Sequence, residues 1–252
     1  MGSGLTKKAK QKVEASQYGS SPSPKLDLSS CDQHKFPNGL VKLDYVRDLN
    51  LSRNFIPVIP DSIGKMTSLT ALDLSYNNLT RISGRFEALQ ELTSLSIAGN
   101  TGISVLPNFP RLRILDISNS GIAPFPASMT LNALTELHVN SLNLSTIPGS
   151  ILSHTNLEVL TLASNDLSAL PPEIRSLKAL RTLDLTGNRI RHLPPEIGEL
   201  SSLQTLILSK HTRTHHSHTR NVSFPHLPMQ TALSSRRSRP SSGTSFRWSG
   251  WR

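Results

Sequence analysis

The sequence predicts an α/β solenoid. Each repeat supplies one strand to a curved parallel sheet on a concave side, then returns through short helices, 3-10 turns and loops on a convex side. Three observations predict it. Asn54, Asn77 and Asn100 are spaced by 23 residues, Asn165 and Asn188 restore that interval, and Cys31 stands one interval before Asn54. Around each lies one frame, LxxLxLxxNxLxxLPxxI. No single unit of this size can bury its own leucines, so several must stack.

Residues 1–22 read as a basic flexible leader with four lysines and one glutamate. Leu5, Ala9 and Val13 recur at helical spacing, which predicts a short basic helix within residues 5–14. Gly2 with Thr6 fits the N-myristoylation pattern, and Lys7, Lys8, Lys10 and Lys12 would add the second signal that stable membrane contact needs. The alternative is a solvated leader without a lipid.

Residues 23–208 form the repeat array. Units start at Ser23 (degenerate), Val46, Leu69, Leu92, Leu112, Leu134, Leu157, Leu180 and Leu203. The fourth interval shortens to 20 residues and the fifth to 22; the others hold at 23. About eight units are complete. The ninth supplies Leu203, Leu206 and Leu208 and then stops, with His211 at its ladder position. Within a unit, Leu183-Asp184-Leu185 alternates apolar and polar, the period of a half-buried strand. Where the chain leaves the strand, backbone groups need partners, and a side-chain amide carries both donor and acceptor. Asn54, Asn77, Asn100, Asn165 and Asn188 would supply it. Cys31 and Ser120 hold the same position and can do part of it. Leu142 cannot, so irregularity is expected there, with Asn140 or Asn143 compensating.

Residues 209–252 contain no acid, many Ser, Arg and His, and both tryptophans. This composition predicts disorder. The leucine pattern ends just after a strand, before the turn that should close the unit. The expectation is a tail derived from an alternative splice or frameshift, leaving Leu203, Leu206 and Leu208 poorly covered and the sheet edge open to fraying or self-association.

The residues of the array resemble leucine-rich repeat proteins over 26–208. The Pro-x-x-Ile segments (Pro60 to Ile63, Pro148 to Ile151, Pro171 to Ile174, Pro194 to Ile197) resemble the intracellular class, which includes Ras-pathway scaffolds, Scribble-like cortical proteins and plant Ras-group-related repeat proteins. The chain departs from that pattern at the short fourth unit, at Ser83 in place of Pro, and at Leu142. The resemblance implies a curved, non-enzymatic surface for protein partners, with a role in intracellular signalling. The cysteine-rich caps of extracellular members are absent, which agrees with a cytoplasmic location, peripheral to the membrane if Gly2 is acylated.

The net charge of +10 is unevenly distributed: +3 in residues 1–22, −1 in 23–208 and +8 in 209–252. Electrostatic function therefore belongs to the ends. With one cysteine, no internal disulfide forms, and no apolar run approaches the ~18 residues of a membrane span. The outward strand positions nominate Asp27, Asp48, Asn50, Arg53, Asp73, Tyr76, Asp116, Glu136, His138 and Asp184 as a protein-binding face. The competing reading is that Leu-Asp-Leu-Ser is generic repeat filler. Ser96, Asp116 and His138 share a column, but a hydrolytic relay needs His between nucleophile and carboxylate, and here Asp lies between. Cys31 has no base beside it and reads as a buried ladder residue. No phosphate loop or metal-ligand spacing is present, so neither an enzyme nor a cofactor nor a dedicated metal site is expected. His211, His215, His216 and His218 could capture a metal opportunistically. The alternative function is a nucleic-acid-associated protein acting through the basic tail. A monomer is expected unless the open edge self-associates.

Overall fold

The computed structural model describes residues 4–17, 21–82, 84–103, 105–107, 109, 111–122, 131–209 and 245–247. They belong to two compact units, Met1–Leu142 and Asn143–Arg252. The division falls at Leu142, where the asparagine column carries leucine.

In the first unit, helix α1 (Lys7–Gln17) precedes six strands: β1 (Lys25–Asp27), β2 (Asp48–Asn50), β3 (Ala71–Asp73), β4 (Ser94–Ser96), β5 (Ile114–Asp116) and β6 (Glu136–His138). Each pairs in parallel with the next, in a register that aligns Leu26, Leu49, Leu72, Leu95, Leu115 and Leu137. These six leucines are buried, while most of their strand neighbours are half-exposed. Three-residue strands offer few hydrogen bonds each. The repeated burial of leucine, about 1.5–3 kcal/mol per side chain, is what makes the stack cooperative. The outward position two residues beyond the strand is lost to solvent in three units, because Ser52, Ser75 and Ala98 turn inward and are buried.

The second unit holds helix α2 (Gly149–Leu152) and strands β7 (Val159–Thr161), β8 (Thr182–Asp184), β9 (Thr205–Ile207) and β10 (Ser245–Arg247). β7, β8 and β9 run parallel, with Leu160, Leu183 and Leu206 in one row. β10 is antiparallel to β9 and sets Ser245 opposite Ile207 and Arg247 opposite Thr205. This corrects the expectation of an unpaired C-terminal edge and of structureless residues throughout 209–252: part of the tail supplies backbone partners to β9. Leu203 and Leu208 are nevertheless only half-buried, whereas Leu180 and Leu185 at the same frame positions are fully buried. The rest of the tail, with His211, His215, His216 and His218, lies outside the described residues.

The Pro-x-x-Ile segments form tight turns. Pro60, Pro171 and Pro194 cap 3-10 turns at Asp61–Lys65, Pro172–Ser176 and Pro195–Glu199, and Pro148 caps α2. Proline presets φ and needs no amide partner at the start of a helical turn. Its carbonyl accepts the N–H of Ile63, Ile151, Ile174 or Ile197 at 3.0–3.1 Å. Each isoleucine then points into the core and is buried.

The N-terminal leader is also corrected. Helix α1 covers 7–17, where 5–14 was expected, and it is docked against the array. Thr6 caps it, accepting the Ala9 N–H at 3.3 Å and donating its hydroxyl to the Cys31 carbonyl at 2.7 Å. Ala9 and Val13 are buried. Lys12 reaches Asp27 at 3.8 Å. The buried Gln33 amide ties the segment before the helix, donating to the Gly4 carbonyl and accepting the Thr6 N–H. The helix closes the end of the stack that begins at β1, the place where a repeat array would otherwise expose its core. Gly2 lies outside the described residues.

Candidate functional site

The turn that follows each strand is built in three layers. The innermost is a column of buried amides. The Asn54 carbonyl oxygen accepts the N–H groups of Cys31 and Gln33 at 3.0 Å, and its amide donates to the carbonyls of Leu28, Leu51 and Ser52. Asn77 accepts from Ile56 and donates to Leu51, Leu74 and Ser75. Asn100 accepts from Leu79 and donates to Leu74, Ile97 and Ala98. Leu51 and Leu74 thus each serve two amides, one from their own unit and one from the next, using both carbonyl lone pairs. In the second unit Asn165 accepts the Leu144 N–H and Asn188 accepts the Leu167 N–H, and both donate to Leu162. All five asparagines are buried.

Three positions differ. Cys31 is buried, its N–H held by Asn54 and its thiol 3.4 Å from the Ser29 carbonyl. Ser120 is only half-buried, and its hydroxyl accepts the N–H of Ile122 at 3.4 Å, a local bond that joins no neighbouring unit. Leu142 is buried. Asn143 beside it is exposed, and Asn140 turns its amide to the Ser118 hydroxyl at 3.1 Å.

The second layer accounts for the acidic column. Asp27, Asn50, Asp73, Asp116 and Asp184 each accept, through Oδ1, the N–H of the residue two positions on, at 2.8–2.9 Å. These are Asx turns that bend the chain out of the strand. The signal was present in the sequence as Asp/Asn-x-Ser/Thr following each inward leucine. In the sequence it reads as surface chemistry, whereas one oxygen of each residue is structural. The hydrogen bonds of Ser29 and the charge of Lys12 hold the Asp27 carboxyl below its ordinary value against a partial burial that opposes them. Asp48 pairs with Lys25 at 3.6 Å. Among the described residues no cation lies within 4.0 Å of Asp73 or Asp116. Register sets Asp116 between Ser96 and His138, the wrong order for a nucleophilic relay. Glu136 and His138 are half-exposed on β6, and Asp184 is half-exposed in the second unit.

The third layer was not foreseen. The residue immediately before each ladder position has positive φ: Ser30, Arg53, Tyr76, Gly99, Asn119, Ser141, Ser164 and Gly187, all between 50° and 71°. Left-handed backbone costs a side-chain-bearing residue about 1–2 kcal/mol, glycine and asparagine are the economical choices, and serine is the smallest of the other occupants. Arg53 and Tyr76 are the exceptions, in adjacent units. Their side chains stack: the Arg53 guanidinium sits 5.0 Å from the Tyr76 ring centroid. The ring in turn lies over Gly99, where a Cβ would meet Tyr76 Cδ1 at 2.6 Å. Two positions along, Phe55 stacks on His34 at 5.0 Å with planes 14° apart. Phe55, His34 and Gly99 escaped the sequence reading. The available signal was glycine at the frame position that holds Tyr76 one unit earlier.

Among the described residues no group of three or more His, Cys, Asp or Glu is placed to hold a metal ion. The chemistry this surface offers is hydrogen bonding, aromatic contact and charge, the means of recognition.

Two family models match the chain: "Leucine rich repeat" over residues 25–101 and "Leucine-rich repeat region" over 149–236. The chain is built of leucine-rich repeats. The second match runs beyond Leu208, where the leucine pattern of the array ends. An adenylate cyclase of Podospora anserina is 33% identical over 153 residues, covering 52% of this chain and 7% of the cyclase. The leucine-rich repeat chain therefore spans a small part of that relative's length, and what the two share is the repeat region. A leucine-rich repeat protein of Leptospira interrogans superposes with a TM-score of 0.57 at 30% identity, over 71% of this chain and 53% of the other. The plant peptide hormone receptor RGFR1, in complex with RGF2, gives a TM-score of 0.53 at 27% identity, over 69% of this chain and 30% of the receptor.

Proposed function

We propose that the array is a non-catalytic scaffold that binds protein partners through the solvent-facing side of its strands and the turns that follow them. The observation that carries this reading is the division of labour in each strand: the central leucine is buried while the flanking residues are half-exposed, in register from unit to unit. A rigid stack thus presents rows of small polar and acidic groups at fixed spacing, with little side-chain entropy to lose on binding. The similar plant protein is a peptide hormone receptor in complex with RGF2, which supports a protein-binding reading of this chain. We further propose a cytoplasmic location and signalling of the kind served by the Pro-x-x-Ile class, a reading that rests on the resemblance of those segments.

Site-specific photo-crosslinking tests this. A benzophenone amino acid at Ser94 or Ser96, on the strand side, should give discrete protein adducts in cell extract. The same probe at Ser62, on the opposite side, should not. Equal labelling from both sides, or none from the strand side, would remove the basis for the scaffold.

A further inference from the structure

We infer that the stacked edge made by Arg53, Tyr76 and Gly99, flanked by Phe55 on His34, anchors a protein segment that presents an apolar side chain next to a lysine or arginine. The inference rests on the protein-binding reading above and gives it a place and a chemistry.

The repeats supply an internal control. Eight units hold the residue just before the ladder position in left-handed backbone, and six of them use serine, asparagine or glycine there. Arg53 and Tyr76 accept that strain with bulky side chains, side by side. Local strain at a surface position is a pointer to function when the surrounding structure holds it in place. Here it does, because Gly99 leaves room for the Tyr76 ring where a Cβ would clash with it and the Arg53 guanidinium lies over the ring, 5.0 Å from its centroid. The rings are therefore pre-positioned. They are also exposed: Tyr76 is 51% and Phe55 47% accessible, and among the described residues Val105 is the one other large apolar side chain so open to solvent. Tyrosine and arginine are the residue types that dominate binding hot spots.

Charge selects the partner. Asp73 stands three residues before Tyr76, at the end of β3, whose following turn carries Tyr76. Its Oδ1 is held by the Ser75 N–H, and no described cation neutralises it or Asp116 in the first unit. The Arg53 charge is directed over the ring. An incoming segment with an aromatic, leucine or methionine anchor and an adjacent cation would satisfy both the rings and the uncompensated carboxylates. A nucleic acid would bring its phosphates against the same carboxylates, which disfavours it.

The test uses the full chain and a displayed library of random dodecapeptides. Enriched peptides should combine an apolar anchor with Lys or Arg. Measured by fluorescence polarisation, their affinity should fall roughly tenfold or more for Tyr76→Ser and for Arg53→Ser. Serine occupies the same backbone conformation at Ser30, Ser141 and Ser164, so these variants should fold, and a thermal melt checks that they do. Gly99→Ala, which displaces the ring without removing it, should weaken the same peptides. Peptides that ignore Tyr76→Ser but are lost with Asp116→Asn or Glu136→Gln would overturn the anchoring edge and leave the strand-side scaffold standing. Enrichment of acidic peptides, displacement of the peptides by a single-stranded oligonucleotide, or no enrichment at all would also overturn the edge. The photo-crosslinking outcome then separately decides the scaffold.

Discussion

Asn54 and Asn77 hold the same frame position but carry different loads. Asn54 satisfies two buried backbone N–H groups, of Cys31 and Gln33, and among the described residues it is the one side-chain amide bonded to the Leu28 carbonyl. Asn77 satisfies one, of Ile56, and the carbonyls it serves at Leu51 and Leu74 each keep a second amide donor, from Asn54 and Asn100. A buried group left without a partner costs about 1–3 kcal/mol. Asn77→Ala should therefore lower the unfolding free energy by about 2 kcal/mol, and Asn54→Ala by about 4 kcal/mol. Urea unfolding followed by circular dichroism measures both, and equal losses would contradict the shared-carbonyl arrangement. The amide column was legible in the sequence because its chemistry demands one residue type at a fixed spacing. The left-handed column beside it was not. Ser30, Arg53, Tyr76, Gly99 and Asn119 share a backbone conformation, not a chemistry, so no letter repeats to reveal it. The Asx turns fall between these cases: their letters repeat, but an aspartate on a strand reads equally well as surface.

Helix α1 shows the limits of composition at the scale of an element. The chain's first twenty-two residues are basic and look soluble, yet Ala9 and Val13 are buried and, with the contacts of Thr6, Lys12 and Gln33, seat the helix. What holds it is the end of the array, a surface that exists only once the repeats have folded. Val13→Asp would set a charge against that surface and should cost about 2–4 kcal/mol. Hydrogen exchange should then rise in residues 7–17 and in β1 before it rises in β3. A uniform rise across β1 to β6 would mean that the helix is not a local cap. Beside α2, the half-buried His154 follows a different rule. Burial pushes its imidazole below the ordinary value of 6.5. The unfolded chain then binds a proton more readily than the folded one, so stability is fully present above pH 6.5 and declines as pH falls from there towards the lowered folded value. The melting temperature should drop between pH 7.5 and pH 5, and His154→Gln should remove part of that drop. A variant with an unchanged pH slope would show that other groups carry it.

At the scale of the whole molecule, charge and structure separate. The repeats were readable because a leucine lattice and its register determine one another. The pairing of Ser245–Arg247 with β9 was not readable, since the segment is joined to the array by a stretch without periodicity and its three residues carry no strand signature of their own. Yet that same tail dominates the electrostatics, with +8 in residues 209–252 against −1 in 23–208. Any affinity for nucleic acid should therefore be a property of the tail and should be governed by counterion release. For a single strand, log K falls with log salt by about 0.7 for each phosphate neutralised. The full chain should retain a single-stranded oligonucleotide at low salt and release it steeply as salt rises. Exchanging Arg236, Arg237 and Arg239 for glutamine should make that slope shallower by about 2. Binding of peptides at the Tyr76 edge should respond little to either change, because its energy comes from buried rings with a few charges at the margin. If the arginine exchanges weakened the peptides as much as the oligonucleotide, recognition would reside in the tail, and the repeats would be its support.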